Sequence, residues 1–525
     1  MRRLKSEDRI VPEGRRKSVP SQGGERPGGE KAVPVEEVGS QFTLLLATAD
    51  NPGAAPGARE RKATDLSAAG RARAPKVKVK RDEVGPATLE EVAQRLESAF
   101  EKVAANKGAA GPDRLSVDDV RRSLPAVLAR LRPALLNGTY VPGDIRRVWI
   151  EKAGGGERGL GIPNVVDRMV QEAVRAVLEP LYEPTFHASS HGFRPKRGSH
   201  TAIAEARGYI DEGHEWVVDI DLEKFFDRVH HQRLMARLAQ RVEDKRLLVL
   251  IGRMLKAKVV MPDGVKTSTE EGVPQGGPLS PLLSNIVLDE LDSELGRRGH
   301  RFVRYADDCN IYVGSERAGQ RVMEGVTRFI ERHLRLKVNV AKSAVARPET
   351  RHFLGFRLLP TKKKASKVLL SKRSETRLRE RIRELTPRNA GRSLKAIIAD
   401  VNGYIRGWFG YFKLCSATMG GRLSNFDEHI RRRLRSVILG HWKRKRTIAR
   451  RLIGLGVRKA SAWRAIYSGH RSRWMLSHHP TVERGLSNAY FAAQGLVSIV
   501  GLFGPIWKAP VAPVQLNLLP ATTRP

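Results

Sequence analysis

Three acidic residues have the types and spacing to do chemistry on a phosphate. Asp221 follows the run Trp216-Val-Val-Asp-Ile220 and precedes Leu-Glu-Lys-Phe-Phe226. Asp307 and Asp308 form an adjacent pair about 85 residues later, between two short apolar runs. Phosphoryl transfer to a nucleotide is served by two divalent cations roughly 3.5–4 Å apart that stabilise the attacking and leaving oxygens. Mg²⁺ prefers hard oxygen ligands, commonly one or two carboxylates plus phosphates and water. A carboxylate from one strand end and a pair from a nearby hairpin would meet that need. Each feature alone has an ordinary reading. Asp-Asp suits turn geometry, and an Asp at a strand end often caps the next helix. Their combination on a strongly basic chain points to polymerase-type chemistry.

The surrounding pattern supplies elements to hold them. Trp216 to Leu222 reads as a strand, with Trp216, Val218 and Ile220 on one face and Val217, Asp219 and Asp221 on the other. Asp219 is expected to orient the strand through a nearby hydrogen bond and not to bind metal. Residues 301–305 and 310–313 read as two strands around a tight connection that carries Asp307 and Asp308. Ile145 to Ile150 predicts a strand ending in a glycine-rich turn, and 257–262 with 265–270 predicts a hairpin. Helical spacing is expected over 167–183, 199–212, 231–257 and 317–336, and near Leu89, Val92, Leu96, Phe100 and Val103. Leu394, Ile398, Val401, Ile405, Trp408 and Phe412 step as one helix face. That spacing reads Tyr404, Trp408, Tyr411 and Phe412 as core packing and not as a base-stacking platform.

Charge narrows the partners. Of 525 residues, 95 are Lys or Arg and 56 are Asp or Glu, for a net +39. Such an excess implies a polyanion, nucleic acid before an anionic membrane. Residues 1–84 show no apolar period and read as a disordered basic arm carrying only +6 of that charge. Most of the excess therefore sits on the folded part. Residues 431–482 hold 15 Lys or Arg and no acid, interleaved with Trp442, Trp463 and Trp474. A charge run is often only a solvated face. This one reads as a phosphate-contacting surface, with Arg431, Arg432, Arg433, Lys443, Arg444, Lys445 and Arg446 as its densest clusters. Two cysteines cannot build a disulfide framework or a four-thiolate zinc site. No apolar run reaches the roughly 18 residues of a membrane span. Phe42 to Ala47 is too short, and too far from the start, for a signal-peptide core.

A series of motifs, in order, resembles the bacterial group II intron reverse transcriptase/maturase family. Arg146-Arg-Val-Trp-Ile-Glu-Lys152 and Arg158-Gly-Leu-Gly-Ile-Pro163, with Gly192-Phe-Arg-Pro-Lys-Arg-Gly-Ser-His200, resemble its fingers. Asp221-Leu-Glu-Lys-Phe-Phe-Asp227, Gly272-Val-Pro-Gln-Gly-Gly-Pro-Leu-Ser-Pro281 and Tyr305-Ala-Asp-Asp308 resemble its palm motifs. Leu336-Lys-Val-Asn339 with Lys342 and Phe353-Leu-Gly-Phe356 follow, then Gly403 to Phe412 in the maturase region. The likeness spans about 88–500 and is nearest to the small class C type without an endonuclease domain.

The resemblance implies an α+β, right-hand polymerase with a helical N-terminal extension, fingers and an antiparallel palm sheet, followed by an all-α thumb/maturase region. The expected division is an extension at 85–140 within fingers and palm at 85–366, a thumb/maturase domain at 367–475, and a partly disordered segment at 476–525. It implies RNA-directed DNA synthesis and intron-RNA binding that assists splicing and mobility by target-primed reverse transcription. Two Mg²⁺ ions would sit on Asp221 and Asp307, with Asp308 in support. Arg146 and Lys152 would hold the triphosphate, Phe226 would exclude a 2′-hydroxyl, and Gln275 would lie near the templating pair. Lys342 belongs to the lysine-containing motif after the hairpin. Expected partners are dNTPs, an RNA template with a DNA primer, the intron RNA and target DNA. The implied location is the bacterial cytoplasm, at the nucleoid when acting on DNA. Without an endonuclease, the second-strand primer would come from elsewhere, such as replication forks.

The chain departs from the family at Glu151, where proline is usual, so its side chain is expected to point away from the site. Two rival readings remain open on the sequence. One is an RNA-binding splicing factor with a dead polymerase fold, which the intact triad opposes. The other is a reverse transcriptase of a retron or defence system, which the maturase-like region opposes.

Overall fold

The computed structural model describes residues 86–151, 157–361, 365–387, 391–469 and 472–508. The arm at 1–84 and Lys152 lie outside the described residues. The strands are β1 (Ile145–Glu151), β2 (Glu157–Ile162), β3 (Trp216–Ile220), β4 (Val259–Val260), β5 (Lys266–Thr267), β6 (Arg301–Tyr305), β7 (Asp308–Val313), β8 (Ala344–Ala346), β9 (Phe356–Leu359) and β10 (Lys367–Leu370). They form a fingers sheet β2-β1-β4-β5, a palm sheet β6-β7-β3-β8 and the hairpin β9-β10. All palm pairs are antiparallel.

The alternation of β3 decides what covers the palm. Val218 and Ile220 are buried on one face among Leu282, Ile286, Val326 and Ile330. Val217 points to the other face, where Val303 and Tyr312 meet Ala202, Ile203 and Ala206 of the helix Ser199–Asp211. This second core runs on through Phe356, Ile398, Val401, Ile405 and Leu434 into the C-terminal helices. Palm and thumb therefore share one continuous apolar interior.

Local chemistry sets the element ends. Thr88 caps Leu89–Ala105, whose apolar stripe is buried. The helix expected over 231–257 is two, His231–Ala239 and Lys245–Leu255. The break is at Asp244, whose carboxylate accepts from the amides of Arg246 and Leu89 and starts the second helix. The expected helix face over 394–412 is observed as Leu394–Phe412. Trp408 is buried there, with its ring 4.8 Å from that of Phe412, in keeping with the packing reading.

From 476 the chain continues the same helical core as far as Lys508. Asp427 accepts from Ser498 Oγ and the amides of Ile499 and Val500, capping Ile499–Lys508. Phe491, Ile499 and Phe503 are buried in that core. Among the described residues no helix is long and apolar enough to cross a membrane.

Candidate active site

The antiparallel register brings the carboxylates together. Trp216 pairs with Val313 and Ile220 with Cys309, so the next residues, Asp221 and Asp308, meet at the ladder's open end. Tyr305 pairs with Asp308, leaving Ala306 and Asp307 as the two-residue turn of β6-β7. Ala306 takes φ 57°, which is uncommon for a residue with a Cβ. Asp221 is tied down from the other side. Its amide donates to Ser343 Oγ (3.0 Å) and its carbonyl accepts from Asn339 N (2.8 Å). Lys342 Nζ lies 3.6 Å from Asp221 Oδ2. Asp219 pairs with Arg351 at 2.8 and 2.5 Å, so that carboxylate is already engaged, as the sequence reading expected.

Negative charge is concentrated here, where Asp307, Asp219 and Asp221 all act on Asp308. Asp308 is open to solvent at its surface, yet protein crowds its other sides. That desolvation, with repulsion from Asp307, Asp219 and Asp221, pushes its carboxyl up to about 7. Desolvation also raises Asp307, against the opposing pull of Arg158 and Arg304. Among the described residues no three His, Cys, Asp or Glu side chains gather into a ready metal cage. Mg²⁺ bound through one or two carboxylates and substrate phosphates needs no such cage. An excess of carboxylates around Asp221 and Asp307 is the donor chemistry that fits it.

Phe226 is buried beside Phe225, and its carbonyl accepts from Val273 N (2.7 Å). Gly272 sits at φ 95°, where an added Cβ would meet the Phe226 carbonyl oxygen at 2.9 Å. His231 Nε2 bonds the Gly272 carbonyl (2.6 Å). The loop 272–281 is thus hung on the backbone beside Phe226. Gln275, in that loop, accepts from Arg158 Nε (2.6 Å), and its carbonyl accepts from Gly161 N (2.6 Å). Arg146 Nη2 donates to the Ala110 carbonyl (2.7 Å), which ties β1 to the glycine-rich turn after the first helix. Glu151 ends β1 exposed. The sequence assigns no role to Arg158 or Ser343, and His231 reads there only as an ordinary polar residue without partner ligands at zinc spacing. Arg158 stood inside a quoted motif, and that motif was the only signal available for it.

The basic residues separate into two kinds. Arg433 is a correction: it is buried and does not face solvent. Its Nε donates to Thr386 Oγ1 (2.8 Å), and its Nη2 to the carbonyls of Arg383 (3.0 Å) and Thr386 (2.6 Å). It closes the end of the helix Lys372–Leu385. Arg431 and Arg432 are half-buried, with Arg432 4.1 Å over the Trp474 ring. Lys443, Arg444, Lys445 and Arg446 are exposed at the break between Gly420–Trp442 and Lys445–Gly454. Lys445 lies 5.7 Å over Tyr467 and Arg451 5.7 Å over Trp442. His478 and His479 make ordinary polar contacts, to Glu483 and to the Thr481 amide.

A palm sheet presenting a strand-end Asp against an Asp-Asp turn defines a template-directed nucleotidyltransferase. Residues 150–358 match the family described as Reverse transcriptase (RNA-dependent DNA polymerase), and 376–453 match the Group II intron, maturase-specific domain. Protein YkfC of Escherichia coli (strain K12) is 33% identical over 338 residues, covering 56% of this chain and 86% of YkfC. Group II intron-encoded protein LtrA of Lactococcus lactis subsp. cremoris is 38% identical over 195 residues, covering 37% of this chain and 32% of LtrA. A solved chain of a partial Cas6-RT-Cas1--Cas2 complex aligns at 24% identity and TM-score 0.30, over 46% of this chain and 42% of that one. The chain belongs to the group II intron-encoded reverse transcriptases, RNA-directed DNA polymerases that carry a maturase domain for splicing.

Proposed function

We propose that this chain extends a DNA primer on an RNA template with Mg²⁺ held by Asp221 and Asp307 and supported by Asp308. The same chain binds the RNA of its own group II intron, assists its splicing, and copies it at a nicked DNA target. The observation that carries the polymerase reading is the register that sets Asp221 against the Asp307–Asp308 turn. In the reaction the primer 3′-hydroxyl forms a bond to the α-phosphorus of a dNTP while the bond to pyrophosphate breaks. Bound Mg²⁺ supplies activation of that hydroxyl and neutralisation of the leaving charge.

The chain's own residues do the rest. The Ser343 hydroxyl and the Asn339 amide fix the backbone from which Asp221 projects. Phe226 walls the sugar side of the nucleotide and leaves no room for a 2′-hydroxyl. Gln275, braced by Arg158, lines the templating side, and Arg146 and Lys152 meet the triphosphate. Lys443 to Arg446 contact RNA phosphates, so they supply affinity, while intron identity is read from RNA shape and unpaired bases. The setting for this work is the cytoplasm, at the nucleoid when DNA is the target.

The test is dTTP incorporation on an RNA template with a DNA primer in Mg²⁺, comparing wild type with Asp307→Ala/Asp308→Ala. Incorporation by wild type alone is expected. Incorporation by both proteins would overturn the site. Incorporation by neither, with RNA binding retained, would leave a splicing factor. Splicing of the intron RNA encoded beside the gene, with and without the protein, tests the second activity.

A further inference from the structure

Arg304 is the largest of the fully buried side chains and lies two residues before Ala306. All five of its N–H donors are used. Nε and Nη2 grip both oxygens of Asp292 at 2.7 and 2.5 Å. Nη1 donates to Asn285 Oδ1 (3.0 Å) and to the Ala306 carbonyl (2.8 Å), and Nη2 also reaches Ser190 Oγ (2.7 Å). Asp292 and Asn285 stand on the helix Ser280–Arg297 and are themselves fully buried. Asn285 Nδ2 continues to the Gly192 carbonyl (2.9 Å). The segment around Ser190 runs beside β6, with Arg304 N donating to Ser189 O and His191 N to Arg304 O, each at 2.9 Å.

A buried ion pair is a poor device for stability alone, since two apolar side chains of similar volume often serve as well or better. What apolar side chains could not do is hold a carbonyl. The carbonyl held here belongs to Ala306, whose φ of 57° is uncommon for a residue with a Cβ. It shares its peptide plane with the amide of Asp307. Fixing one fixes the other, and with them the position of the Asp307 Cα from which the carboxylate side chain departs.

We propose that Arg304, locked by Asp292, is a positioning residue for polymerisation that acts through the Ala306–Asp307 peptide. The inference rests on the polymerase reading above. Arg304→Met/Asp292→Leu removes both charges at similar volume and tests it directly. Arg304→Lys, which keeps a charge beside Asp292 but lacks the planar fork, is the second variant.

Both are read per folded molecule by kcat and KM for dTTP, by thermal melting and by RNA affinity. The expected result is a fall in kcat of about 30- to 100-fold, with KM and RNA affinity within about threefold of wild type. The double variant should melt below wild type, because the Ala306 carbonyl and the Asn285 and Ser190 side chains lose their donor, so both variants are assayed at a temperature where melting shows them folded. Wild-type kcat in either folded variant overturns the proposal, as does a loss carried by KM. Should the double variant fail to fold, Arg304→Lys decides alone on the same readouts. An inactive wild type would instead refute the polymerase reading, which the positioning variants cannot do.

Discussion

Gly192→Ala tests how tightly the catalytic turn is held from outside. A Cβ built on Gly192 would lie 2.3 Å from the Ala306 amide nitrogen, 3.0 Å from the Tyr305 carbonyl carbon and 3.1 Å from Ala306 Cα. All three atoms are backbone, so no side chain can swing aside. Real Cβ contacts stay at 3.0 Å or beyond, so the turn must retreat by roughly 0.7 Å. Displacement of a reacting group by about 1 Å costs on the order of 10²-fold in rate, or about 2.7 kcal/mol of transition-state stabilisation. The added methyl also overpacks the site, by about 1–3 kcal/mol of folding free energy. The assay is steady-state dTTP incorporation with thermal melting alongside. Gly208→Ala is the control, since a Cβ there meets nothing within 4 Å. A kcat within twofold of wild type for Gly192→Ala would refute the idea that this contact positions Asp307.

Four further outcomes are expected. The folded Asp308 carboxyl titrates at about 7, above its ordinary range, so its contribution to metal-free stability is complete below that range and is lost as pH rises through 7. Mg²⁺ competes with that proton, so its stabilising effect on Tm should be larger at about pH 8 than at about pH 6, and Asp308→Asn should erase the trend; equal effects at both pH values would contradict it. Arg433→Ala should lower stability by about 2–3 kcal/mol, because buried carbonyls at a helix end lose charged donors. Neutralising Lys443, Arg444, Lys445 and Arg446 together should leave Tm alone but flatten the salt dependence of RNA binding by about 3 in log–log slope, as filter binding would report. Phe226→Ala should raise rNTP use relative to dNTP use by about tenfold or more, measured in single-nucleotide extension; unchanged discrimination would remove Phe226 from the gate.

Much of the site was legible because its signals are local. Alternation over 216–220 put Asp221 at a strand end, and a tight connection between two apolar runs put Asp307 and Asp308 in a turn. The helix face from Leu394 to Phe412 followed from spacing alone. The break at Asp244 was missed because the apolar period continues across it. The second helix starts afresh at an Asp side chain that caps it and also takes the Leu89 amide, 155 residues away.

The sequence by itself determined the kind of chemistry, the order of the elements and the excess of positive charge. Tertiary structure decided what each charged group does. Arg432 and Arg433 are neighbours of identical composition, yet one stacks over Trp474 and the other is consumed by three acceptors at a helix end. Arg304 reads as one more basic residue before an Asp pair, but Asp292, Asn285 and Ser190 converge on it and make it the floor of the turn. The reason is reach. Backbone periodicity is set by near neighbours and is written along the chain, whereas an arginine's five donors are satisfied by whatever the fold brings within about 3 Å of them.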